Sequence, residues 1–203
     1  MEGRVAIFID GSNLYHALRS NFDRHDLNFA EFATKLCGSR RLFRTYYYNV
    51  RQEPGQRVEG HREQHDFIST LRETPYLEVR LGGTKLSQGV TVEKGIDVML
   101  ATDLLHFAWN DLYDIAVLVS GDSDFAYALQ AVKDMGKHIE VAYFENNISR
   151  DLLDIADNRH LLDQTFFNKG LWSGKRPPQR RRRSIRSAVK AAAKPGPKKQ
   201  AKS

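Results

Sequence analysis

Four aspartates stand where chemistry is easiest to build. Asp10 directly follows the apolar run Val5-Ala6-Ile7-Phe8-Ile9, and Asp122 and Asp124 follow Ile115-Ala116-Val117-Leu118-Val119 by way of Ser120-Gly121. Short continuous apolar runs of this kind read as strands buried on both faces of a parallel sheet. In such a sheet ligands bind beyond the carboxyl ends of the strands, where the strand order reverses. Both aspartate turns reach that edge if the two strands are neighbours. Asp97, in Lys94-Gly95-Ile96-Asp97, adds an acid from the first turn of a helix. Each acid has a plainer role when taken alone. Asp97 would be a first-turn acid favoured by the helix dipole, one of Asp122 and Asp124 an N-cap, and Asp10 a turn residue. Converging on one crevice they need more than that, because two carboxylates about 4 Å apart repel by about 4 kcal/mol at an effective dielectric of about 20. A cation must offset the charge. Oxygen donors without Cys or His suit Mg²⁺ or Mn²⁺ rather than zinc. Ions of this kind activate water and stabilise the leaving oxygen in phosphodiester cleavage. The expected chemistry is hydrolytic phosphoryl transfer.

Neighbouring polar residues fit the same site. Asn13 falls on the first turn after Asp10, where its amide can orient a water or a phosphate oxygen; Ser120 and Ser123 can donate hydrogen bonds to carboxylates or substrate. Lys94 and Lys85 are candidate phosphate partners, although exposed lysines commonly do no more than solvate. Asp103 lies six residues after Asp97, about 120° away around a helix, and ranks below the others. His61 and His65 have the i, i+4 spacing of a metal pair but no third ligand, so a solvated helix face is the better reading. Tyr46-Tyr47-Tyr48 could stack bases, yet alternating aromatics in a strand usually belong to a core. Cys37 reads as a small buried apolar residue.

The elements that must position these residues alternate between strand and helix. Strands are predicted at 5–9, 42–50, 77–81, 115–119 and 139–144, and helices after 13, at 29–36 with Asn28 as cap, and at 61–72. Further helices are predicted at 96–108, 125–135 and 150–156, the last capped by Ser149. Residues 82–93, with Gly82, Gly83 and Gly89, read as a loop or small hairpin. The pattern implies an α/β fold, a central parallel sheet flanked by helices on both faces.

Charge divides the chain. Of its 31 Lys and Arg, 12 lie from Ser173 onward with no Asp or Glu, which leaves 19 basic against 25 acidic residues in 1–172. An acidic folded domain, 1–172, is therefore expected to precede a disordered Arg/Lys-rich tail, 173–203. Arg180, Arg181, Arg182 and Arg183 with the later lysines would neutralise RNA phosphates in a salt-sensitive manner. The bland reading is a tail that only aids solubility. A single cysteine permits no intrachain disulfide, and neither a signal peptide nor an apolar stretch of about 20 residues is present. A cytoplasmic protein with no membrane partner is expected, its oligomeric state open.

Three segments carry a family resemblance. Phe8-Ile9-Asp10-Gly11-Ser12-Asn13, Glu93-Lys94-Gly95-Ile96-Asp97-Val98 and Val119-Ser120-Gly121-Asp122-Ser123-Asp124-Phe125 resemble, in this order, the signature segments of NYN domains, the LabA-like branch of the PIN-like nucleases. Ser149-Arg150-Asp151-Leu152 with Ala156-Asp157 is similar to that family's closing helix. The resemblance spans about 5–167 and leaves the tail out. It implies a Rossmann-like sheet and Mg²⁺- or Mn²⁺-dependent ribonuclease activity. It carries over Asp10, Asp97, Asp122 and Asp124 as metal ligands and catalytic residues, with Asn13 beside them. Two alternatives stay open: a catalytically silent RNA-binding or scaffold protein, and an aspartyl-phosphate type of phosphatase. The second is disfavoured because Ser12 stands where that chemistry needs a second acid.

Overall fold

The computed structural model describes residues 3–50, 58–87 and 90–174, with backbone alone at 58–63, 84–87, 90–94 and 169. The strands are β1 (Arg4–Asp10), β2 (Arg41–Val50), β3 (Leu77–Ser87), β4 (Val90–Lys94), β5 (Ile115–Val119), β6 (His138–Tyr143) and β7 (Asn158–Leu161). The helices are α1 (Gly11–Phe22), α2 (Phe29–Cys37), α3 (Val58–Glu73), α4 (Ile96–Trp109), α5 (Ala126–Asp134) and α6 (Arg150–Ile155). The sheet order is β4-β3-β2-β1-β5-β6-β7. All neighbours run parallel except β4, which pairs antiparallel with β3 at the edge. The expected α/β architecture is present.

The chain moves outward from β1 through β2, β3 and β4, then returns to lay β5 against the other side of β1. The strand order therefore reverses between β1 and β5. Strand alternation divides the core into two layers. Val5, Ile7 and Ile9 of β1 join Val117 and Val119 of β5 under α1, α2 and α3. Ala6 and Phe8 join Ala116 and Leu118 under α4, α5 and α6. Both strands are sealed on both faces, so they read as unbroken apolar runs rather than alternating ones.

Of the two readings open for 82–93 the hairpin holds, because β3 continues past the expected Leu81 through Gly82-Gly83 to Ser87 and pairs antiparallel with β4. Two features differ from the sequence expectation. The helix expected from Phe125 opens as a short 3₁₀ turn, Ser123–Phe125, before α5. The exposed strand β7 has too little apolar character to be seen by pattern; it is held by parallel pairing of Glu140–Tyr143 with Asn158–Leu161.

Candidate metal-binding edge

The parallel register determines where Asp10 goes. Ile9 pairs with Val119, so the next residues, Asp10 and Ser120, lie side by side on the face covered by α4. Both are buried, and the Ser120 hydroxyl donates to Asp10 Oδ2 at 3.1 Å. The other carboxylate oxygen, Oδ1, caps α1 by accepting the Asn13 N–H at 3.0 Å. Asp10 is thus the cap that a strand-to-helix turn asks for, and one whose carboxylate is also shared with the next strand. Among the described residues no cation pairs with it. Burial pushes its pKa up, and the charges of Asp97 and Asp122 push it further, against the hydrogen bonds from Asn13 and Ser120.

The turn after β5 closes on the same place. The Asp122 N–H donates to Ser120 Oγ at 3.2 Å, and Asp122 Oδ1 accepts the Asp124 N–H at 3.0 Å, capping the 3₁₀ turn. Asp97, exposed on the first turn of α4, has its pKa raised by partial desolvation and then by the charges of Asp122 and Asp124. Each acid meets another acid's field. Asp10 and Asp97 thus feel the charge of Asp122, and Asp97 that of Asp124 as well. The four are spread out, however: among the described residues no three His, Cys, Asp or Glu side chains stand close enough to grip one ion directly.

Asn13 ties the edge together. Its Oδ1 accepts the Gly121 N–H at 3.3 Å and the Asn147 Nδ2 at 3.0 Å. Asn147, in the turn after β6, is a site residue that the sequence reading missed. The signal was faint: an apolar strand, Ile139 to Phe144, followed at once by Glu145-Asn146-Asn147. The contact is close, since a Cβ at Gly121 would lie 1.7 Å from the Asn147 carbonyl oxygen, so no side chain is tolerated there. Gly11 is constrained likewise, with the Tyr47 ring 2.5 Å from where its Cβ would be. The Oδ1 of Asn147 is buried and without a hydrogen-bond partner.

The remaining candidates fall elsewhere. Asp103 accepts the Tyr48 hydroxyl hydrogen bond at 2.9 Å and lies 3.7 Å from Arg80, so it anchors α4 to the sheet instead of joining the edge. Ser123 is exposed at the start of the 3₁₀ turn. Lys85 lies in β3 and Lys94 in β4, with side chains outside the described residues; Arg180, Arg181, Arg182 and Arg183 lie outside them altogether. Tyr46, Tyr47 and Tyr48 are all buried, as expected of core aromatics, and so is Cys37. His65 is exposed beside Asp66, and the His61 side chain lies outside the described residues. No helix among the described residues is long and apolar enough to cross a membrane.

Comparison with known proteins places the chain in a family and supports its fold. The NYN domain family model matches residues 4–163. The chain is 28% identical over 176 residues to the low amplitude and bright protein LabA of Synechococcus elongatus, covering 80% of this chain and 89% of LabA. Its fold is similar to that of a crystal structure of a protein of unknown function from Vibrio parahaemolyticus. That likeness has a TM-score of 0.67 at 22% identity and covers 80% of this chain and 94% of the other. With its three aspartate segments on one sheet edge and a family match across nearly all of the folded part, this chain belongs to the NYN domain family.

Proposed function

We propose that this protein is a ribonuclease that hydrolyses RNA phosphodiester bonds with Mg²⁺ or Mn²⁺ held at the Asp10–Asp122 edge. The observation that carries the reading is Asp10: a buried carboxylate bound only by uncharged donors and facing the charges of Asp97 and Asp122. The donor set fits the ion. It is all oxygen, and next to Gly121 the buried Asn147 Oδ1 is a further acceptor without a partner. The spread of the acids fits as well, because Mg²⁺ keeps several waters and takes only one or two carboxylates directly. Family membership supports the same reading.

Asp10 and Asp122 would hold the ion and Asp97 would approach from α4, with Asp124 at the rim. When bound, the ion supplies the Lewis acidity that activates water and stabilises the leaving oxygen. The chain supplies position. Ser120 and the Asn13 N–H fix Asp10 in one orientation, and Asn13 and Asn147 hold the β1, β5 and β6 turns at a set spacing. The basic segment Arg180–Arg183 would retain the RNA through phosphate contacts.

Single-turnover cleavage of end-labelled RNA with Mn²⁺ tests the site. Asp10→Asn should lower the rate by about a hundredfold or more, and a chelator should abolish it. Undiminished cleavage by the variant, or a wild type that neither binds Mn²⁺ nor cuts, would refute the proposal. For the tail, replacing Arg180, Arg181, Arg182 and Arg183 by Gln should flatten the dependence of log K on log salt by about 3, at about 0.7 per phosphate contact. An unchanged slope removes the tail from RNA binding.

A further inference from the structure

The acid edge adjoins a larger feature that its chemistry does not use. A cleft of about 870 Å³ opens between α1 and α3, on the layer opposite α4. Its inner end is Gly11 and Ser12, the two residues that follow Asp10. Tyr47, Phe29 and Phe67 give it an aromatic floor. Tyr15 stands in its wall, 44% exposed, with the His16 and His25 rings each 5.5 Å from its own. This is a half-solvated aromatic face flanked by imidazole N–H groups, whereas Tyr46 and Tyr48 of β2 are sealed in the opposite layer of the core.

Charge says what kind of molecule fits. Asp26 is the acid among the lining residues, and it is fully committed, accepting from Arg24 at 2.8 Å and from the Gly174 N–H at 3.1 Å. Arg24 also lies over the Trp172 ring and donates to the Gly174 carbonyl. Among the described residues the cleft therefore presents no unpaired carboxylate to a polyanion, in contrast to the edge beside it. Its rim includes Ser173, whose N–H is tied to the Asp26 carbonyl at 2.9 Å. The described residues end beside this rim, at Gly174. Arg180 follows Gly174 by six residues, a contour reach of about 20 Å.

We infer that this cleft is a nucleoside-binding site, taking one unpaired base of the RNA strand against Tyr15 and His25 while the neighbouring phosphate lies at the Asp10 edge. The inference rests on the reading of that edge as the place where RNA is cut. A volume of several hundred cubic ångströms suits a base with its ribose. Aromatic faces stack any base, so the site selects for an unpaired nucleotide rather than for a sequence.

Anisotropy of a labelled single-stranded RNA 12-mer, read in a chelator with the full chain, tests this without cleavage. Tyr15→Ala should weaken binding about tenfold, and His25→Ala should weaken it less. The exposed Tyr127→Ala on α5 should bind as wild type does. The same RNA as a duplex should bind Tyr15→Ala and wild type alike, because it has no base to insert. Matched melting temperatures rule out misfolding, and a 4-thiouridine-substituted strand should crosslink to Tyr15 or His25. Wild-type binding by both variants, equal losses for single strand and duplex, or crosslinks confined to residues beyond Gly174 would overturn the inference. Failure of the nuclease reading looks different: RNA is never cut, yet Tyr15→Ala still loses single-strand affinity. Cutting that needs Asp10 but ignores Tyr15 and His25 in binding would sink the cleft alone.

Discussion

Asp10 and Glu140 are equally buried, each 6% exposed, and the protein treats them in opposite ways. Glu140, on β6, is met by the Arg40 guanidinium through both carboxylate oxygens and by His160 at 2.7 Å. Burial would push its pKa up, but those partners outweigh burial and hold it at about 2. Asp10 receives one backbone N–H and one hydroxyl, and burial together with Asp97 and Asp122 leaves its pKa raised. The fold can compensate a buried acid, and it does so where the acid joins elements. At the carboxyl edge no cation among the described residues meets the acid, which is the arrangement that the proposed metal site would use.

The contrast can be broken by experiment. The largest effect should come from Glu140→Gln, which strips the half-buried Arg40 of its counter-ion. A loss of about 3 kcal/mol is expected, a fall in melting temperature of roughly 8 °C; no loss would mean the pair is ornamental. Next, Mn²⁺ at about a hundred times its dissociation constant should stabilise the wild type by about 2.7 kcal/mol. The same titration should leave Asp10→Asn nearly unmoved, and equal shifts would place the ion elsewhere. In a chelator, Asp10→Asn should raise stability by about 1 kcal/mol, since it keeps the shape and removes an uncompensated charge. Destabilisation would show that the Asp10 charge serves the fold.

The two acids should also respond oppositely to pH. Glu140 binds its proton less readily in the folded chain, so its contribution is present above the ordinary 4.5 and disappears as pH falls toward about 2. Asp10 binds its proton more readily in the folded chain. The ion-free protein therefore has that contribution below 3.8 and loses it as pH rises through the folded value. Chemical denaturation across this range should show the gap between Asp10→Asn and wild type widening upward, while the Glu140→Gln gap closes downward.

How legible each acid is follows from the same contrast. Asp10 and Asp122 could be found from local pattern, because each ends an unbroken apolar strand and the parallel edge is where strand ends gather. Asp97 needed the first turn of α4 to arrive at that edge, which the return of the chain from β4 arranges. The Arg40–Glu140–His160 group could not be found so. Its members lie 100 and 20 residues apart and carry no spacing signal. Asn147 was missed for the same reason, since it matters only through its fit against Gly121 and Asn13, 134 residues away from the latter. Asp103 could be ranked low by helix geometry, but its partner Tyr48 could not be named. Strand β7 escaped because parallel pairing, not apolar content, defines it.

The pairing of Asp10 with Ser120 has a consequence in time. The two residues are 110 positions apart, and β1 lacks its neighbour β5 until the later segment exists. At ribosomal rates of about 5–20 residues per second, roughly 6 to 20 seconds separate their synthesis. Until then Asp10 has neither its hydroxyl partner nor Asp122 across from it. A nascent chain therefore carries this edge unassembled, and the buried Asp10–Ser120 pairing can form only once that interval has passed.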